Sequence, residues 1–387
     1  MQAVALGSYI ANRTHNNIWL GLVTLAAWLP AIVGSPVGGV IAERFNRQRW
    51  IQANNAVMAL SSSALAIAVL TNHLSLQLAC YLAIVEGLCG SSSWAAWQSL
   101  LRDLVNDDEM LAAVSLSSAQ FNLGRVVGPA LAGVALGLGS PGWCFALNAA
   151  SFIFVVVIFS FVKSPLRDKV TTKVRVWAET VVGARTAWSV KGCRNPIIGV
   201  GLVAVIISPF ITLVPAMAVH TLHSGTVGTA WLVGAQGVGA VIAALTLPSL
   251  ARRTSRLFVL RLSFYSLATA EGLYALAPSL VWSVAALVLL GGAYVGSLTG
   301  LNTSVQLHAP QGERSRILAL YTLSLSLLYP IGALIQSALS TTWGVRPVTL
   351  GAAVVLGIVL LAVNIFKPSF WLEMGAPSTA RLEMLAD

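Results

Sequence analysis

The sequence is poor in charge. Of its 387 residues, 23 are Lys or Arg and 13 are Asp or Glu, so 9% are charged, where a soluble domain carries about a quarter. That excludes an ordinary water-soluble globule of this size. Cysteine is scarce too: Cys80, Cys89, Cys144 and Cys193 share no close spacing, which argues against a disulfide framework or a zinc motif and leaves them as small apolar core residues. The histidines are His15, His73, His220, His223 and His308. They form no His-Glu-x-x-His pattern, and the His220/His223 pair has no carboxylate nearby. No metal is expected, and a membrane-embedded enzyme lacks the clustered constellation it would need. There is no Gly-x-x-x-x-Gly-Lys-Ser/Thr loop, so neither a nucleotide motor nor a cofactor is expected. The alternating ~10-residue strands of a membrane barrel are missing as well.

What is present is long, continuous apolar sequence. Runs such as 18–42, 140–162 and 348–366 carry no charge and reach the ~20 residues that cross a bilayer as a helix. The pattern predicts full spans at 18–42, 50–70, 75–99, 113–138, 143–162, 196–219, 227–250, 257–277, 280–304, 316–339 and 348–367. Residues 1–10 are apolar but half a span long, and lack the basic start of a signal peptide. They read as a first helix that has lost its beginning; a short interfacial segment is the other reading. The expectation is therefore eleven full spans and a stub, or twelve spans once the first is restored.

Lys and Arg set the orientation. One side receives Arg44, Arg47, Arg49, Arg102, the basic residues from Lys163 to Arg194, Arg252, Arg253, Arg256, Arg314, Arg316, Lys367 and Arg381. The other receives only Arg13 and Arg346. The basic side is expected in the cytoplasm, with the linker and the C-terminus. The net charge of +10 is then mostly topology, and nucleic acid is not required as a partner. The division expected is an N-terminal half at 1–162, a basic linker at 163–195, a six-span half at 196–367 and a tail at 368–387. Residues 174–190 fit either an amphipathic surface helix or a solvated linker.

The two halves echo each other. Ala42-Glu43-Arg44-Phe45-Asn46-Arg47 follows the second span, and Ala251-Arg252-Arg253-Thr254-Ser255-Arg256 follows the eighth. Gly128-Pro129 in span five is matched by Tyr329-Pro330 in span eleven. Internal repeats of this kind are common among secondary transporters. Upstream of the first basic hairpin, Gly34-Ser35-Pro36-Val37-Gly38-Gly39 is rich in small residues, which let helix backbones approach closely.

The stretch Gly39-Val40-Ile41-Ala42-Glu43-Arg44-Phe45-Asn46-Arg47-Gln48-Arg49 resembles the signature loop of the major facilitator superfamily. Glu43 stands for the family's aspartate, Gln48 for a basic residue and Asn46 for a glycine; Asn tolerates a left-handed turn. Three further stretches, 101–110, 121–133 and 145–148, resemble the enterobactin-exporter-like branch, also called the transmembrane secretion effector group. The resemblance implies an all-α membrane protein of the major facilitator fold with two six-helix halves. It implies a proton-coupled exporter of a siderophore, related metabolite or drug, working as a monomer in the bacterial inner membrane. It also implies a cytoplasmic latch at Gly39, Glu43, Arg44, Arg47 and Arg49, with Glu43 facing the start of span eleven. The second copy has Arg252 where the first has Glu43, so an asymmetric latch is expected. Gly128, Pro129 and Gly133 are similar to the antiporter motif of span five. A chain lacking part of its first helix could instead be a remnant that no longer transports.

Charges inside spans are functional candidates by default. Glu86 and Arg125 lie midway along spans four and five and are expected to pair, as a helix–helix tie or as a proton and anion site. Gln120, Asn122, Gln236 and Gln336 are the polar candidates for a substrate cavity. Trp94 and Trp97 are expected to stack on a ligand or anchor at the interface. Arg261 is expected to snorkel, and Glu271 to sit deep in peripheral span nine.

Overall fold

A computed structural model of the chain describes residues 1–106, 109–137, 140–161, 185–310 and 313–375. Among them every regular element is a helix. Among the described residues, nine helical spans are long and apolar enough to cross a membrane. The described residues fall into two compact units, one drawn from 1–173 and 218–230, the other from 174–217 and 231–387.

The first unit contains α1 (Gln2–Arg13), α2 (Ile18–Trp28), α3 (Ala31–Arg44), α4 (Arg47–Leu70), α5 (Leu76–Leu104), α6 (Met110–Gly137) and α7 (Pro141–Phe161). Helices α2 and α3 make one span interrupted at Pro30, whose missing N–H breaks the ladder. Two starts are written in the sequence as caps. Asn46 Oδ1 accepts from Arg49 N at 3.0 Å, opening α4, and Ser75 Oγ accepts from Leu78 N at 3.2 Å, opening α5. Asn46 has φ −64° and ψ 112°. The expected left-handed turn is thus replaced by an extended N-cap, because the side chain gains more by satisfying the first turn of α4.

Helix α5 packs on α2, α3 and α4, and α4 also packs on α7. The small-residue stretch makes the α3–α5 contact possible. A Cβ on Gly34 would lie 2.1 Å from Ser91 Oγ, and where α5 meets α2 one on Gly87 would lie 2.3 Å from the Ala27 carbonyl oxygen. In the other direction α7 presents Phe154, Ile158 and Phe161 outward, an apolar face suited to lipid rather than water.

Early in the second unit come α8 (Lys191–Leu202), a π turn (Val203–Ile207) and α9 (Phe210–Ala216), and a second π turn begins at Met217, where the chain passes to the first unit until Ala230. These lie in the 31-residue span Lys191–Thr221, longer than the uninterrupted helix expected at 196–219. Then come α10 (Gly225–Arg253), α11 (Arg256–Leu276), α12 (Leu280–His308), α13 (Arg314–Trp343), α14 (Val345–Phe366) and α15 (Ser369–Leu372). Helix α11 packs on α12 and α14, and α13 packs on α8 and the first π turn. Gly344, at φ 85°, makes the tight turn between α13 and α14, a backbone that favours glycine.

Candidate functional site

Four helices of the first unit meet around one carboxyl. Glu86 projects from α5, Gln2 from α1, Ser62 from α4 and Asn148 from α7. The Gln2 amide nitrogen donates to Glu86 Oε2. Ser62 Oγ lies 2.8 Å from Gln2 Oε1 and 3.3 Å from Glu86 Oε1. Asn148 Nδ2 donates to Gln2 Oε1 at 2.6 Å and to Ser62 Oγ at 2.9 Å. Because two donors converge on Gln2 Oε1, its amide nitrogen is held toward Glu86.

Ser62 is fully buried and owns a single proton, yet faces two acceptors. With Glu86 ionised, the hydroxyl serves the carboxylate. With Glu86 protonated, it is released to Gln2. The cluster therefore has two hydrogen-bonding arrangements that differ by one proton on Glu86. Arg125 and Asn122 lie on α6, and their side chains fall outside the described residues, as does the expected Glu86–Arg125 pair. Gln120, also on α6, is exposed.

The basic hairpin is tied within the same unit. Arg47 pairs with Asp103 of α5, and its Nη1 also lies 3.4 Å from the Ser99 carbonyl oxygen. Gln48 donates to the Phe159 carbonyl. Arg49 is exposed and a Cβ on Gly39 would meet nothing within 4 Å. The side chains of Glu43 and Arg44 fall outside the described residues. Trp97 stands edge-on to Phe159 at 6.1 Å and donates to Ser117 Oγ at 3.3 Å, so it packs helix on helix. Trp94 is 44% exposed, a position open to the interface. In α6, Gly133 comes so close to the chain at Ala230 that a Cβ would lie 2.9 Å from its carbonyl oxygen, whereas Gly128 is uncrowded. The side chain of Pro129 falls outside the described residues.

The second unit places polar groups around the interrupted span. Ser208 Oγ lies 3.0 Å from Tyr294 OH, and Thr212 Oγ1 lies 2.9 Å from Tyr329 OH. Gln336 Nε2 donates to the carbonyls of Ile206 at 2.6 Å and Val205 at 3.3 Å. A π turn leaves carbonyls without their usual partners, and Gln336 supplies one. Gln236 is half-buried on α10. Its backbone is pressed against Gly291, where a Cβ would lie 2.2 Å from the Gln236 carbonyl oxygen.

Two other charges behave differently. Arg261 lies over the Trp371 ring at 5.7 Å, a cation–π contact. Glu271 is fully buried, and neither of its oxygens has a hydrogen-bond partner among the described residues.

Gln2, Ser62, Ser208, Thr212, Tyr294 and Tyr329 were not visible as site residues in the sequence. Serines and tyrosines inside apolar runs look alike whether they face lipid or one another. Pro209 and Pro215 were the available signal, since paired prolines interrupt a span and free its backbone groups.

The chain matches the family described as transmembrane secretion effector over residues 1–381. It belongs to that family. The enterobactin exporter EntS of Shigella flexneri is 26% identical over 362 residues, 93% of this chain and 85% of that protein. Among solved structures, a nucleoside transporter NupG variant is similar with a TM-score of 0.73 at 12% identity, covering 94% of this chain and 95% of that one. A bacterial homologue of the human lysosomal transporter Spinster, inward-facing and unoccupied, gives 0.72 at 14% identity, covering 96% and 93%. The protein is thus a multi-pass membrane transporter of the major facilitator superfamily and not an enzyme.

Proposed function

We propose that this transporter is a proton-coupled exporter of a small molecule, a siderophore-like metabolite or a drug, in the bacterial inner membrane. In this reading the two six-span halves alternate access to a midplane site, and the basic loops, linker and C-terminus face the cytoplasm. The observation that carries the coupling is the Glu86 cluster, in which Ser62 has two acceptors and one proton. The direction of transport is supported by the likeness to EntS across most of both chains.

Glu86 is the proton carrier in this scheme, and Arg125 holds its carboxylate or an anionic substrate in turn. Gln120, Asn122, Gln236 and Gln336 line the substrate path, with Gln336 also holding the π turn. Gly39, Glu43, Arg44, Arg47 and Arg49 form the latch, Glu43 supplying a carboxylate of the kind that a helix N-terminus favours. Gly128, Pro129 and Gly133 form the antiporter-like motif of span five, which accords with export. The protein works as a monomer.

The test compares the small-molecule content of cells and medium, with and without the gene, in iron-poor medium. One metabolite retained inside the deletion strain and released on complementation is the expected result. Profiles that match in both strains, together with unchanged sensitivity to a drug panel, would overturn export.

A further inference from the structure

The second unit contains a cavity of about 860 Å³ that the transport scheme does not use. Helices α10 and α12 run side by side and touch backbone to backbone at one level. A Cβ on Gly239 would lie 1.8 Å from the Val288 carbonyl oxygen. Toward Arg252 and Leu307 the same helices leave space, and α11 closes one side of it. The walls are mostly aliphatic, with Leu247, Pro248, Leu260 and Val295 among them. Gly296 and Gly300 of α12 keep the wall low, since a Cβ at either would press into Leu247 or Leu260.

The chemistry changes at the mouth. Arg252 and Arg256 line it together with Ser255, and both arginines are exposed. Among the described residues no acidic side chain lines the cavity, and neither arginine has an ion-pair partner. Arg252 also occupies the position where the first half of the sequence has Glu43. A carboxylate in one copy of the loop has become a guanidinium in the other, and that guanidinium stands at the mouth of an apolar hole.

An apolar chamber with a cationic rim fits a ligand with a hydrocarbon body and an anionic head. Basic pockets between transmembrane helices bind anionic headgroups in this way, and arginine suits phosphate because its planar fork donates two bonds at once. We propose that the cavity holds one anionic phospholipid, its acyl chain between α10, α11 and α12 and its phosphate on Arg252 and Arg256. Its assignment to the inner leaflet rests on the orientation proposed above; the binding itself does not. The lipid fills a gap that the helices leave open and joins the ends of α10 and α11. The residues after Gly375 are the competing occupant from this chain.

The test is native mass spectrometry of the purified, delipidated full-length chain titrated with phosphatidylglycerol, phosphatidylcholine or inorganic phosphate. One tightly held phosphatidylglycerol per chain is expected, bound about tenfold better than phosphatidylcholine, whose choline cation offsets the phosphate charge that the two arginines meet. R252Q/R256Q should remove that preference. Thr299→Trp, which fills the chamber from an exposed cavity position, should lower binding of both lipids, with circular dichroism and melting confirming that each variant folds. Equal retention of the two lipids, or an R252Q/R256Q variant with unchanged preference, would overturn the proposal. So would tight binding of inorganic phosphate alone, or lipid binding only after the chain is cut following Gly375. None of these readouts depends on transport, so failure here is separable from failure of the export reading.

Discussion

Gly38 of α3 lies against Ser92 of α5 so closely that a Cβ would sit 2.5 Å from the Ser92 Cα and from its carbonyl oxygen. Two membrane helices meet there with only hydrogens between their backbones. Gly38→Leu is therefore expected to force the helices apart, at a cost of about 1–3 kcal/mol or more. Gly351→Ala is the control, because a Cβ there meets nothing and alanine is the better helix former, by about 0.5–1 kcal/mol. Thermal melting in detergent should fall for the first and hold or rise for the second. A Gly38→Leu protein that melts like the parent would show that the α3–α5 contact is not made.

The Glu86 cluster predicts a separation of folding from coupling. Glu86→Gln keeps the shape and an acceptor for Ser62 but removes the titratable group. The variant should fold and melt within a few degrees of the parent while losing proton-driven transport of the cargo at least about tenfold, in line with a general role for ionisable groups in membrane interiors. Proteoliposomes with an imposed pH gradient report this directly. Full gradient-driven transport by Glu86→Gln would remove the proton-carrier role.

Glu271 predicts the reverse trade. A buried acid with both oxygens unpartnered costs stability by roughly 1–3 kcal/mol, the usual size for an unsatisfied polar group. Near that end of α11 stand Tyr274, one turn along, and Arg346, which donates to the Ala277 carbonyl at 2.6 Å. Glu271→Met should raise the melting temperature. A drop would mean that the carboxyl has a partner in the membrane that stabilises it.

At the end of the described chain, Glu373 receives a hydrogen bond from Asn195 at 2.8 Å and an ion pair from Lys191 at 3.1 Å. Partial burial pushes its pKa up, but the bonds from Asn195 and Lys191 outweigh this and hold it below the ordinary carboxylate value. A lowered folded pKa means stability that is present above the unfolded value and lost as pH falls through the folded one. The docking of α15 on α8 should therefore loosen only under acid, below the usual carboxylate range. Hydrogen exchange of residues 369–375 should quicken there, and Glu373→Gln should show the same exchange at both pH values. Exchange that quickens equally in the variant would assign the acid effect elsewhere.

The membrane class, the helical fold and the family were legible because they rest on many residues at once: 9% charge, long apolar runs and the Gly39–Arg49 loop. The close packing of Gly34 and Gly38 was legible too, since small residues in a row have few other uses inside a membrane. What was not legible depends on which way a side chain points. Gln336 read only as a polar candidate in span eleven, and that its amide holds a π turn was announced by no local pattern. Asn46 looked like a stand-in for glycine, yet it caps α4. Gln2 lay in a stretch that read only as apolar, and its partnership with Glu86 spans 84 positions, a distance that helix periodicity does not encode.

Each π turn in span Lys191–Thr221 stores one surplus residue in the helix. Such a surplus has a location, and a location can move. Were it passed along the helix by one turn, the side chains between its old and new places would swing about 100°, the angle of one residue in an α-helix, while both ends of the span stayed where they were. Ser208 and Thr212 sit where that swing would carry them away from Tyr294 and Tyr329. Gln336, bonded to the carbonyls at the dislocation, would have to let go before any such step, and its release would turn a wall of polar groups without sliding the helix at all.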